Sequence, residues 1–205
     1  MILSLDLSTT NSGWAKFSLK RELVAYGEMA PKVKNPVVNK VPKYTYPEIQ
    51  LLKMRDLVDQ LLTLLTDDLE KIVIEEINRG KNRLGQKTLD GLHWLLLDRM
   101  PQKFRDMVVY VDSDGASGWR SKEGLALQLS PLDKEKNKEI RKFNKKHGFK
   151  NGTKNAKPLI TQKTLACKYV NKRFGLSLDE NKRTKDADIA DAIGLGDCYL
   201  MWRKM

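Results

Sequence analysis

The chain has 205 residues, 40% apolar and 31% charged, the size and composition of one globular domain that is neither disordered nor membrane-embedded. No apolar run approaches the roughly 18 residues a membrane helix needs, the acid at position 6 argues against a signal peptide, and Cys167 and Cys198 form no disulfide framework, so a cytoplasmic setting is expected. Lys and Arg number 38 against 26 Asp and Glu, a net +12, which makes a polyanion the expected partner, with nucleic acid ahead of an anionic membrane and an inert basic surface as the plain alternative.

Residues 2–6 (ILSLD) have the short apolar pattern of a buried strand. After the polar turn LSTTNSG come two more strand patterns, at 14–19 and 23–29, so the opening predicts an antiparallel meander. Residues 31–47 hold four of the seven prolines and read as an extended connector with no regular element. Over 48–66, Leu51, Met54, Val58, Leu61 and Leu65 step by three and four, the spacing of a one-faced helix. KIVIEE at 71–76 predicts a fourth strand and NRGKN at 78–82 a glycine-bearing loop. A helix is expected over 83–99, ended by Met100-Pro101. Its second half, with Leu92, Trp94, Leu95, Leu96 and Leu97, is apolar nearly all round, which fits deep burial or a subunit interface. MVVYVD at 107–112 predicts the fifth strand.

The pattern then changes. Residues 133–157 carry ten Lys/Arg against three Asp/Glu, so +7 of the net +12 lies in this segment. Ser130-Pro131 is a helix start and Gly148 a stop, yet only Leu132, Ile140 and Phe143 are apolar between them. A helix that polar is expected to project from the core. Helical periodicity returns at 161–174 and 186–203.

Four acids stand at the ends of these elements. Asp6 closes the first strand, Glu75 and Glu76 close the fourth, and Asp188 and Asp191 share a face of the last helix. An ionised carboxylate at a buried strand end is unfavourable by several kcal/mol unless compensated. Convergent carboxylates repel one another, and a divalent cation removes that penalty. With two cysteines and two histidines there is little for zinc, and oxygen ligands with open positions suit Mg2+ or Mn2+. The plain alternatives are acids at a helix start complementing its dipole, and strand-end acids paired with lysines. The turn DLSTTNSGW sets the hydroxyls of Ser8 and Thr9 beside the first acid, where they could hold a phosphate oxygen or simply form a hairpin turn.

Together, the DLSTTNSGW opening, IVIEEI, DADIADAIGLG and the order of the elements resemble the RuvC family of Holliday junction resolvases, its phage-type members above all. The resemblance covers 1–29, 71–112 and 161–200. It implies an α/β RNase H-like fold, a five-stranded mixed sheet flanked by helices, with a basic insertion (121–158) after the fifth strand, all in one nuclease domain over 1–205. It also implies a crossover junction endodeoxyribonuclease: paired symmetric nicks in four-way or branched DNA, leaving 5′-phosphate and 3′-hydroxyl ends.

On this resemblance Asp6, Glu75, Asp188 and Asp191 are the metal-binding and catalytic acids, holding two Mg2+ or Mn2+ ions, and Lys163 is the catalytic lysine. Trp119-Arg120 resembles a Trp-Arg pair of phage-type members and is expected on DNA. DNA contacts are also expected from Ser8, Thr9, Arg79 and Lys81, and from Lys142, Lys145 and Lys146 of the basic arm. A homodimer through helix 83–99 would match the two-fold symmetry of a junction. The chain departs from the family in having Asn78 where some members carry an aromatic residue, and in the length of its insertion. Three alternatives stay open: an RNase H-like nuclease for RNA, hybrids or flaps; an actin-type ATPase; and a nucleic-acid-binding protein without activity. The ATPase reading needs two domains and far more than 205 residues.

Overall fold

The computed structural model describes residues 1–76, 83–113, 118–121, 128–150, 155–180 and 185–202. In chain order the elements are β1 (Ile2–Asp6), β2 (Ser12–Phe17), β3 (Leu23–Met29), β4 (Val37–Val38), β5 (Val41–Pro42), α1 (Tyr46–Leu62), β6 (Lys71–Glu75), α2 (Arg83–Arg99), α3 (Gln102–Arg105), β7 (Val108–Val111), a 3-10 turn (Trp119–Ser121), α4 (Pro131–Lys146), α5 (Gln162–Phe174) and α6 (Lys185–Trp202). Five strands make one mixed sheet in the order β3-β2-β1-β6-β7. β2 is antiparallel to both β1 and β3, whereas β1, β6 and β7 run parallel. Among the described residues no helix is long and apolar enough to cross a membrane.

Alternation along the strands places the site. Ile2, Phe17 and Val73 pack with Cys167 and Val170 of α5 and Ala190 and Ile193 of α6. Leu3, Leu5, Ile72 and Ile74 face the other way, against Leu57, Val58 and Leu61 of α1 and Leu92 and Leu96 of α2. With a period of two, Asp6 shares the face of Ile2 and Glu75 that of Val73. Both strand-end acids therefore look toward α6, and it is Glu75, not Glu76, that shares the face of Val73.

α6 lies unusually deep because the residues it sets against the sheet are small. Ser4 Oγ donates to the carbonyl of Ala192 at 2.7 Å. A Cβ on Gly196 would stand 2.6 Å from the ring of Phe17, and one on Gly194 2.6 Å from that of Trp119. Glycine at 196 lets the helix settle onto the sheet, with its N-terminal acids at the strand ends, and glycine at 194 makes room for Trp119 across it.

Helix starts follow their sequence signals. Thr45 donates to Glu48 through its amide (2.8 Å) and hydroxyl (2.6 Å), opening α1 one turn before Ile49. Ser130 accepts from the amide of Asp133 (3.1 Å) to open α4, and Gly175 closes α5 at φ 68°. α1 is rotated from the expected stripe, so that Ile49, Leu57, Val58 and Leu61 are buried and Leu51 is exposed.

Two segments differ from expectation. The proline-rich connector contains a β-hairpin, Val37 pairing with Pro42 and Val38 with Val41. Its turn residues, Asn39 (φ 51°) and Lys40 (φ 65°), are both left-handed. A lysine there replaces the glycine by which such turns are usually recognised, which hides the hairpin in the sequence. The polar helix α4 is fastened by amides instead of by a core. Asn137 donates to the carbonyl of Ile160 (2.7 Å) and accepts from its amide (2.8 Å). Asn144 makes the same pair of bonds with Lys157, at 3.0 and 2.9 Å.

Candidate active site

The sheet end where β1 and β6 finish brings the predicted carboxylates together with two cations. Asp188 and Asp191 are buried under the first turns of α6. Arg120 Nη1 lies 2.8 Å from Glu75 Oε1 and Nη2 lies 3.2 Å from Asp191 Oδ1. Lys163, in the first turn of α5, donates to Asp188 Oδ1 and stands 3.7 Å from Asp191 Oδ2. Asn11 Nδ2 donates to Asp188 Oδ2 at 3.0 Å.

The electrostatics follow from crowding. Burial, then the charges of Glu75 and Asp191, hold the Asp6 carboxyl well above the ordinary range, with Lys163 opposing. Asp191 is likewise raised, burial outweighing the pull of Arg120 and Lys163. Burial works against both cations, yet the surrounding carboxylates outweigh it and keep Arg120 and Lys163 charged above their usual range. Four acids against two bases leave the cluster net negative when all are ionised, and that excess adds to burial in raising Asp6 and Asp191.

An oxygen-bound cation fits this set. Both Asp191 oxygens are buried without an aligned hydrogen bond, and the Asp6 carboxyl is crowded by like charge. Among the described residues no three acids form a ready-made cage. Arg120 and Lys163 stand against the oxygens that a cation would take.

Other expected residues are placed differently. Trp119, expected on DNA, is completely buried here and packs over α6. Arg120, expected on DNA, is also buried, its guanidinium 4.4 Å from the Trp119 ring centre and its charge spent on Glu75 and Asp191. Ser8 is engaged within its own turn, its amide donating to Ser12 Oγ (3.0 Å) and its hydroxyl 3.1 Å from that of Thr10; Thr9 is half-buried beside it. Lys142, Lys145 and Lys146 are exposed on α4, away from the carboxylates in sequence but joined to Lys163 through the clamped segment at 157–160. Arg79 and Lys81 lie outside the described residues.

Three contributors carry no clear signal in the sequence. Asn11 has no motif value, being one polar residue in a polar turn. Gly13 has the look of a turn former alone, yet a Cβ there would fall 1.9 Å from the carbonyl oxygen of Asp188. His93 on α2 lines a cavity of about 260 Å3 together with Asp6, Glu75, Lys163 and Asp191. Burial holds its imidazole down at about 4, with Nδ1 3.4 Å from the hydroxyl of Tyr110.

No protein-family model matches the chain, and no curated protein matches its sequence. Among solved structures it is similar to Thermus thermophilus RuvC in complex with a Holliday junction substrate, at TM-score 0.53 and 10% identity, over 100% of this chain and 94% of that one. The fold is RuvC-like. A Thermus thermophilus RuvC structure superposes at TM-score 0.42 with 13% identity, over 100% of this chain and 95% of that one. At such identities the likeness is one of fold, and the site rests on this chain's own geometry.

Proposed function

We propose that this chain is a metal-dependent endonuclease that resolves four-way DNA junctions by paired symmetric nicks, leaving 5′-phosphate and 3′-hydroxyl ends. The observation that carries the reading is the convergence of Asp6, Glu75, Asp188 and Asp191 at one end of a RuvC-like sheet. The junction bound by the structural neighbour favours branched DNA as the substrate. The Trp119-Arg120 pair supports a phage-type member.

In this reading the four acids hold two Mg2+ or Mn2+ ions, and 1–205 acts as one nuclease domain with its basic insertion at 121–158. Held by these acids, the ions would supply the Lewis acidity for activating a water and for stabilising the leaving 3′-oxygen. Lys163 offsets charge on the scissile phosphate. Asn11 orients Asp188, and Arg120 fixes the carboxylates of Glu75 and Asp191 relative to each other. The exposed lysines of α4 contact backbone phosphates, which gives affinity without sequence choice. A homodimer through α2 sets two such sites on opposed strands.

The test is cleavage of an immobile four-way junction in Mg2+ and in EDTA, with duplex, flap and RNA–DNA hybrid controls. Paired nicks are expected, abolished by EDTA. Asp6→Asn or Asp188→Asn should lower nicking by about a hundredfold or more, a barrier increase of roughly 2.7 kcal/mol, while DNA binding persists. Wild-type turnover in either variant would overturn the site; cutting of hybrid or flap in place of the junction would move the substrate.

A further inference from the structure

The hairpin β4–β5 is built in a way that the carboxylate site does not explain. Val37, Val38 and Val41 at its tip are 66%, 56% and 64% exposed. Around them stand Lys32, Lys34, Lys40 and Lys43, all exposed, and residues 31–47 contain no acid. A two-stranded ribbon is marginal alone, and valines facing water contribute little to holding it.

Its rigidity comes from elsewhere. Asn35 donates to the carbonyl of Tyr44 (2.9 Å) and accepts from its amide (3.0 Å), closing the base of the ribbon. The amide of Lys43 adds a bond to the carbonyl of Pro36 at 2.8 Å. Below this, Asp56 of α1 accepts from the amide of Lys32 (2.6 Å), and Gln60 donates to the carbonyl of Ala30 (3.1 Å). Lys40 holds a left-handed conformation that is unfavourable by roughly 1 kcal/mol for a residue with a Cβ. A glycine would relieve that strain and would remove a positive charge from the tip.

Topology sets where the ribbon starts. Asp6 is paired with Gly13, and Gly13 with Glu28, so the three lie on one line across the sheet. β3 runs in the same direction as β1, and it ends at Met29 on the sheet edge where Asp6 and Glu75 stand. The hairpin therefore springs from the catalytic edge, two strands away from the first acid.

An apolar tip flanked by cations and free of acids matches unstacked bases flanked by phosphates. We infer that this hairpin is a wedge that enters branched DNA where base pairs open, Val37, Val38 and Val41 resting on base faces and the four lysines on the adjoining backbone. The inference rests on the junction-nuclease reading and adds the element that opens the branch point.

The experiment uses the full-length protein and junctions carrying 2-aminopurine beside the branch point, bound in Ca2+ so that binding is read apart from cleavage. The wild type should raise the fluorescence several-fold as the bases unstack, and V37S/V38S/V41S should abolish that rise. In Mg2+ the same variant should cut the fully paired junction about tenfold more slowly, and a junction with an unpaired centre within about twofold of wild type. Lys40→Gly should keep the fluorescence rise but lower the salt slope of binding by about 1. An unchanged rise and rate in V37S/V38S/V41S, with the wild type active, would overturn the wedge and leave the nuclease reading standing. A dimer-to-monomer change of that variant in sedimentation would instead assign the valines to self-association and overturn the wedge. Failure of the wild type to bind or cut any junction would remove both readings.

Discussion

Gly13 carries no side chain because the backbone of Asp188 occupies the space a Cβ would need. Gly13→Ala must lift the first turn of α6 from β2, and Asp188 and Asp191 move with it. The substitution is expected to lower stability by about 3 kcal/mol, read by urea unfolding, and to weaken Mg2+ binding in the same protein. The raised carboxyls of Asp6 and Asp191 set a pH dependence. Each keeps its proton in the folded state at a pH where the unfolded chain has released it, so the native state binds more protons. Their contribution to stability is therefore largest below the ordinary carboxylate range and declines as pH rises through the raised values. Thermal midpoints measured in EDTA and in Mg2+ should diverge as pH climbs through that window, with the metal-bound curve higher; Asp191→Asn should narrow the gap. The acids were legible in the sequence because strand ends and helix faces are periodic. Asn11 and His93 were not, since the positions they occupy depend on which turn folds over which helix.

At the scale of elements, α4 shows how far pattern reading reaches. Its boundaries were legible from Ser130-Pro131 and Gly148, and its solvated character from its few apolar residues. Its attachment was not, because Asn137 and Asn144 look like ordinary polar residues until the segment at 157–160 is seen lying along them. Deleting 133–157 is expected to flatten the salt dependence of DNA binding, by about 0.9 in log–log slope for each phosphate no longer neutralised, while leaving Mg2+ binding intact. Replacing Asn137 by Ala leaves the amide and carbonyl of Ile160 without their partners, and hydrogen exchange over α4 should accelerate by about tenfold or more. The apolar helix α2 resolves into two faces. Leu92 and Leu96 belong to the core, whereas Trp94 is 71% exposed.

For the molecule as a whole, that indole carries the prediction about assembly. On the proposed dimer, Trp94→Glu should give monomers in sedimentation without unfolding the chain, because the side chain it replaces lies outside the core. A dimer that persists would remove α2 from the interface. The order of the elements could be read from the apolar runs and the mixed sheet was implied by the family resemblance, and the observed sheet bears both out. The hairpin at 37–42 could not, since its turn uses residues chosen against backbone preference.

Arg120 and Lys163 give the carboxylates counter-charges supplied by the chain itself. Two positive charges among four acids offset that repulsion only in part, and the raised carboxyls of Asp6 and Asp191 mark the part left over for a proton or an ion to relieve. On the proposed function, scarcity of magnesium would halt the chemistry and, at a pH above the raised carboxylate range, would also thin the supply of folded protein.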